Sequence, residues 1–168
     1  MTYNYCALDF ETTGLDTTRD EVIEYGAVLF NDVETGPELA SLCKPTRAIP
    51  TDATMVNHIT DDMVADATPF TEHLDGLLAF IGDRTVVCHN APFDMGFLKR
   101  YCRIYGKEPP RQVMDTCELS RRCFRHLPSH SLRSLASFLR IPQVGAHRAL
   151  ADARVTAQVM IQLLEVMG

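Results

Sequence analysis

Tyr3-Asn4-Tyr5-Cys6-Ala7-Leu8-Asp9-Phe10 runs into Glu11-Thr12-Thr13-Gly14, and the reading of this stretch decides the architecture. Its tyrosines, Leu8 and Phe10 make residues 3–10 a β-strand, and Gly14 breaks it. Side chains two apart on a strand leave from the same face. Asp9 and Glu11 therefore project together, between flanks (Ala7, Leu8, Phe10) whose apolar character points inward. Two such carboxylates repel unless cations sit between them, and their hard oxygen atoms suit Mg²⁺ or Mn²⁺. The competing reading is a half-exposed polar face on an edge strand.

Working outward, residues 22–30 (Val-Ile-Glu-Tyr-Gly-Ala-Val-Leu-Phe) form a second strand with Gly26 as a candidate bulge. Residues 39–43 suit a third. Lys44-Pro45 and Ile49-Pro50 mark a loop, because each proline biases its predecessor away from helix. Thr60-Asp61-Asp62-Met63 has the form of a capped short helix. Apolar residues at Phe70, Leu74, Leu77, Leu78 and Ile81 recur with a helical period, predicting a helix over 70–81. Residues 85–88 read as a short buried strand entering His89-Asn90. Pro92 opens a helix with Phe93, Phe97, Leu98 and Tyr101 on its core side. Pro109-Pro110 ends that unit, and short helices follow over 116–124 and 131–139. The last helix, 149–166, carries an apolar stripe of Leu150, Ala153, Ala157, Ile161 and Leu164, with Asp152 off it. Early strands with alternating and following helices predict an α/β fold with a central mixed β-sheet, in one domain over 1–168.

Size and composition narrow the class. A chain of 168 residues can bury a sizeable core without staples. No apolar run approaches the roughly 18 residues of a membrane span, so no membrane association is expected. Met1-Thr2-Tyr3-Asn4-Tyr5 lacks a secretory signal, which predicts a cytoplasmic protein. Cys6, Cys43, Cys88, Cys102, Cys117 and Cys123 show no C-x-x-C spacing and read as free, mostly buried thiols. The net charge of −6 argues against a general polyanion binder. Its distribution is uneven: residues 1–98 hold 17 acids and four bases, a net −13, whereas residues 99–168 hold 12 bases and five acids, a net +7. A basic portion beside carboxylate motifs suits guidance of a phosphate backbone, although solvated helix faces give the same count.

Two further stretches match the chemistry of the first. Asp94, in His89-Asn90-Ala91-Pro92-Phe93-Asp94, begins a helix, where it serves either as a first-turn acid favoured by the helix dipole or as a metal ligand. Asp152, in His147-Arg148-Ala149-Leu150-Ala151-Asp152, has the same two readings. His147 follows Gly145-Ala146, a mobile approach suited to a base; His58, His73, His126 and His130 include histidines of ordinary structural kind. Four carboxylates with one imidazole suit a two-metal phosphodiester site. Two divalent cations about 3.5–4 Å apart clamp the attacking and leaving oxygens in line, and a histidine takes the proton of water near neutral pH.

The three stretches, in this order and spacing, resemble the D-F-E-T-T-G, H-N-A-x-F-D and H-x-A-x-x-D motifs of the DEDDh branch of DnaQ-like 3′–5′ exonucleases. That family includes the proofreading epsilon subunit of bacterial DNA polymerase III and standalone relatives. The likeness runs from Tyr5 to about Leu164 and places His147, five before Asp152, where the tyrosine branch has tyrosine. Asn57-His58-Ile59-Thr60 resembles the family's H-G-I-T segment without its glycine, Asp115-Thr116 its D-T, and residues 131–135 its L-x-x-L helix. The resemblance implies an RNase-H-like sheet with helices on both faces. It also implies a two-cation site of Asp9, Glu11, Asp94 and Asp152 holding Mg²⁺ or Mn²⁺, with His147 as general base. Thr12, Thr13, Gly14, Leu15 and His58 would contact the 3′-terminal nucleotide, Leu15 and Ile59 offering apolar surface, while Asn90 and Phe93 shape the pocket floor. The expected activity is release of nucleoside 5′-monophosphates from single-stranded 3′ ends, DNA ahead of RNA. Oligoribonuclease-like RNA trimming, a non-catalytic nucleic-acid-binding module and a small-molecule phosphomonoesterase are the alternatives. Standalone relatives are often homodimers, and no polymerase-tethering extension is visible in this sequence.

Overall fold

The computed structural model describes residues 2–168. Its five strands are β1 (Tyr5–Thr12), β2 (Val22–Phe30), β3 (Thr35–Leu42), β4 (Thr85–Cys88) and β5 (Val113–Asp115). They form one mixed sheet in the order β3-β2-β1-β4-β5. β1 pairs antiparallel with β2, and β2 with β3; β1–β4 and β4–β5 are parallel. The helices are α1 (Thr51–Asn57), α2 (Asp61–Val64), α3 (Phe70–Ile81), α4 (Ala91–Ile104), α5 (Thr116–Cys123), α6 (Leu132–Phe138) and α7 (Ala149–Met167).

The period of two along β1 divides the core. Cys6, Leu8 and Phe10 face α3 and α4, packing with Phe70, Leu74, Leu77, Ile81, Phe97 and Leu98. Ala7 points the other way, where Val28, Phe30 and Val87 meet Ala153, Ala157 and Met160 of α7. On the outer side of α7, Val155, Val159 and Leu163 pack with Phe124 and Leu135 beside α5 and α6. This is an RNase-H-like fold, a central mixed sheet with helices on both faces. All six cysteines are free, four of them buried. Among the described residues no helix is long and apolar enough to cross a membrane.

The helix over 70–81 and the Thr60 cap, which accepts the Met63 N–H at 3.4 Å, stand where the sequence places them. Three features differ. β3 begins at Thr35 rather than at 39. A helix, α1, and a short strand, β5, occupy segments to which the sequence pattern assigns no element. Gly26 is not a bulge: it pairs in regular register with Asp9, and the irregularities lie at Glu11/Thr12 and Val28/Phe30. Glycine is needed there because a Cβ would overlap the backbone of Leu150, which packs directly on the sheet.

Where β4 stops decides the rest. Its last β1 partner is Ala7, opposite Val87, so Leu8 to Thr12 run on with no strand partner on that side. The start of α4 fills the gap. Asp115, ending β5, fixes that start: Oδ1 accepts from the N–H groups of Asn90 (3.0 Å) and Cys117 (2.9 Å), and Oδ2 from Ala91 (3.1 Å). One carboxylate thereby joins the first turns of α4 and α5.

Candidate active site

Asp9 and Glu11 leave β1 on the side of α7, and Asp152 lies in the first turn of that helix. One carboxylate oxygen from each of the three lies within 4.8 Å of the others. Asp94 approaches from the opposite side of the sheet. It is only 2% exposed, and its Oδ1 accepts the N–H of Phe10 at 2.9 Å, closing the β1 edge that β4 leaves open. His147 is exposed at the rim; its backbone N–H donates to Asp152 Oδ1 at 3.3 Å. Its backbone is left-handed (φ 66°), a conformation uncommon outside glycine.

The electrostatics are those of crowded acids. Burial, then Asp94, Glu11, Asp152 and Glu24, hold the Asp9 carboxyl well above the ordinary carboxylate range. Glu11 is pushed up to about 8, by burial first and then by Asp152 and Glu24. Burial raises Asp94 to about 7 against the pull of the Phe10 N–H. Asp152 is raised by burial and drawn back by the His147 N–H. Asp9 Oδ2 is buried with no hydrogen-bond partner. A divalent cation resolves both conditions, since it neutralises the repulsion and ligates the orphaned oxygen. The donor set fits such an ion.

Beside the acids lies a cleft of about 610 Å³, whose lining includes Glu11, Thr12, Thr13, Gly14, Leu15, Ala53, Val56, Asn57 and Phe93. The Thr12 hydroxyl donates to the Gly14 carbonyl (2.6 Å), and the Thr13 hydroxyl donates to Asp20 Oδ1 (3.1 Å). Both shape the loop from within. A Cβ on Gly14 would overlap the Asp20 carboxylate, so any larger residue would force that carboxylate to move. Leu15, 86% exposed, forms the lip, and Phe93 lines the wall.

One expected substrate contact is corrected, and two others lie outside the lining of the cleft. Ile59 is fully buried against Ile23, Ile49 and Val64 and offers no surface to a ligand. His58 is exposed and outside the lining of the cleft; it caps α1 with φ 60°, a left-handed conformation that glycine adopts most readily. The adjacent Asn57 reaches the cleft instead. It is buried, lines the cleft, donates to the Thr12 carbonyl at 3.3 Å and accepts the Ile59 N–H at 3.0 Å. Asn90 is also absent from the cleft: it turns into α4 with φ 66°, its N–H held by Asp115. Glu24 was missed altogether. It is buried on β2, opposite Glu11, and an acid inside an apolar strand was the signal available.

A five-stranded mixed sheet with an acidic cluster at the end of its central strand defines a class of phosphodiester-cleaving folds. Residues 6–160 match the sequence profile of RNase_T, described as exonuclease, and the chain belongs to that family. DNA polymerase III subunit epsilon of Treponema pallidum is 36% identical over 163 residues, 95% of this chain and 76% of that protein. The PolC-type DNA polymerase III of Thermotoga maritima is 38% identical over 164 residues; these are 97% of this chain but only 12% of the polymerase. Among solved structures, exonuclease X in complex with 5′-overhanging duplex DNA superposes with a TM-score of 0.77 at 26% identity, over 96% of this chain and 91% of that one.

Proposed function

We propose that the chain removes nucleoside 5′-monophosphates from the 3′ end of single-stranded nucleic acid, DNA in preference to RNA. The observation that carries this reading is the convergence of Asp9, Glu11 and Asp152 within 4.8 Å around a buried, partnerless Asp9 oxygen. When bound, Mg²⁺ or Mn²⁺ would supply an activated water and offset the charge developing on the phosphate. Asp9, Glu11 and Asp152 would hold one ion, and Asp94 with Asp9 the second. His147, exposed beside Asp152, takes the proton from the attacking water. The cleft holds the terminal nucleotide: Phe93, Leu15 and Val56 give apolar surface to base and sugar, and the turn at Gly14 lets the backbone come close. The preference for DNA is supported by the DNA polymerase relatives and by the DNA bound to exonuclease X.

Matched DNA and RNA strands, blocked at either end, test this with Mg²⁺ and with chelator. Shortening from open 3′ ends only, abolished by chelator, is the expected result, with DNA degraded faster. Shortening from 5′ ends, or activity of Asp152→Ala equal to the unsubstituted chain, would overturn it. Sedimentation of the same samples reads whether the homodimer expected of standalone relatives forms.

A further inference from the structure

Glu24 is 6% exposed and pairs across the sheet with Glu11. Unlike its acidic neighbours it has a cation: Arg148 Nε lies 3.0 Å from both of its oxygens and Nη2 lies 2.5 Å from Oε2. Oε1 also accepts the Ala149 N–H at 2.8 Å, at the start of α7. With both oxygens so engaged, Glu24 stands outside the group that would hold the ions. Arg148 directly follows His147, whose left-handed backbone persists only where its surroundings over-determine it.

We infer that Glu24 and Arg148 are positioning residues for His147, the ion pair pinning the turn before α7 to β2 so that the imidazole stands over the acids. Glu24 is buried but Arg148 is half-exposed, and an ion pair of this kind adds little net stability. What the forked guanidinium and the backbone N–H add is direction, which a point charge or an apolar contact would not supply. α7 itself is held by Ala153, Ala157 and Met160, so loss of the pair frees the turn while leaving Asp152 in place. The inference rests on the reading of His147 as the base.

The test uses Arg148→Ala, Arg148→Lys and Glu24→Gln, the last keeping an acceptor for the Ala149 N–H. Single-turnover cleavage of a DNA oligonucleotide at saturating Mg²⁺ should slow by roughly 10- to 100-fold in Arg148→Ala and Glu24→Gln, the size of effect that misplacing a catalytic group produces. Oligonucleotide affinity and Mn²⁺ binding should hold, and Arg148→Lys, which keeps the charge but loses the fork, should recover little of the rate. Amide exchange at His147 and Ala149 should quicken. His147→Ala combined with Arg148→Ala should be no slower than His147→Ala alone, because both act through one group. An unchanged rate in Arg148→Ala and Glu24→Gln, or losses that multiply in the double variant, would overturn the inference. If the unsubstituted chain leaves oligonucleotides intact, the proposed function fails instead, and unaltered amide exchange at His147 in Arg148→Ala would still reject the clamp.

Discussion

Asp9 Oδ2 is sealed from water with nothing to accept from, and Asp152 adds a further negative charge beside it. Asp152→Asn keeps an acceptor for the His147 N–H and removes the charge. It is expected to raise the melting temperature of the metal-free protein while slowing 3′-end cleavage by at least about 10²–10³-fold, measured by calorimetry and oligonucleotide digestion. His147→Ala should cost roughly 10²–10⁴-fold in single-turnover rate if proton transfer is its work, with stabilisation by Mn²⁺ unchanged. Stability should also depend on pH. The folded chain favours protonated Glu11 (about 8) and Asp94 (about 7), against ordinary values of 4.5 and 3.8. It therefore binds more protons than the unfolded chain between about pH 4 and pH 8, and metal-free stability falls as pH rises through that window. Thermal melts in chelator should show this decline, and saturating Mg²⁺ should cancel it at the alkaline end. At this scale the convergence of Asp9, Glu11 and Asp152 is legible because strand period and motif spacing survive without coordinates. Asn57 is not legible in this way, because its neighbour His58 carries the more conspicuous side chain and only burial and the lining of the cleft separate the two.

Elements with an apolar rhythm were read nearly to the residue: α3 runs from Phe70 to Ile81, where Phe70, Leu74, Leu77 and Ile81 are all buried. α1 and β5 have no such rhythm. Within α1 only Asn57 is buried, so packing imposes no apolar stripe for periodicity to show. β5 has three residues, too few to alternate, and is held in the sheet by β4. Gly26 is ambiguous in sequence, since a glycine in a strand marks either a bulge or a close approach and only the position of α7 distinguishes them. Gly26→Ala should therefore act on a helix distant in sequence. Crowding Leu150 is expected to lower stability by about 1–3 kcal/mol in urea titration and to weaken Mn²⁺ binding by shifting Asp152.

Across the molecule, the excess of bases in residues 99–168 includes the exposed Arg121, Arg122, Arg125, Arg133 and Arg140, carried on or beside α5 and α6. Arg133 also lines a small cavity with His147 and Asp152, which sets this basic side next to the acids. A phosphate backbone leaving the cleft would meet it. Arg133→Ala should weaken binding of single-stranded oligonucleotides of every sequence alike and reduce the slope of log affinity against log salt by about 0.7, read by fluorescence titration. The gap at the end of β4 has a different consequence. Asp94 both faces the acids and plugs an unzipped seam in the sheet, whereas Asp152 could be lost with the architecture intact. An acid lost at position 94 would thus unfasten the sheet along with the site, whereas one lost at position 152 would empty the site alone.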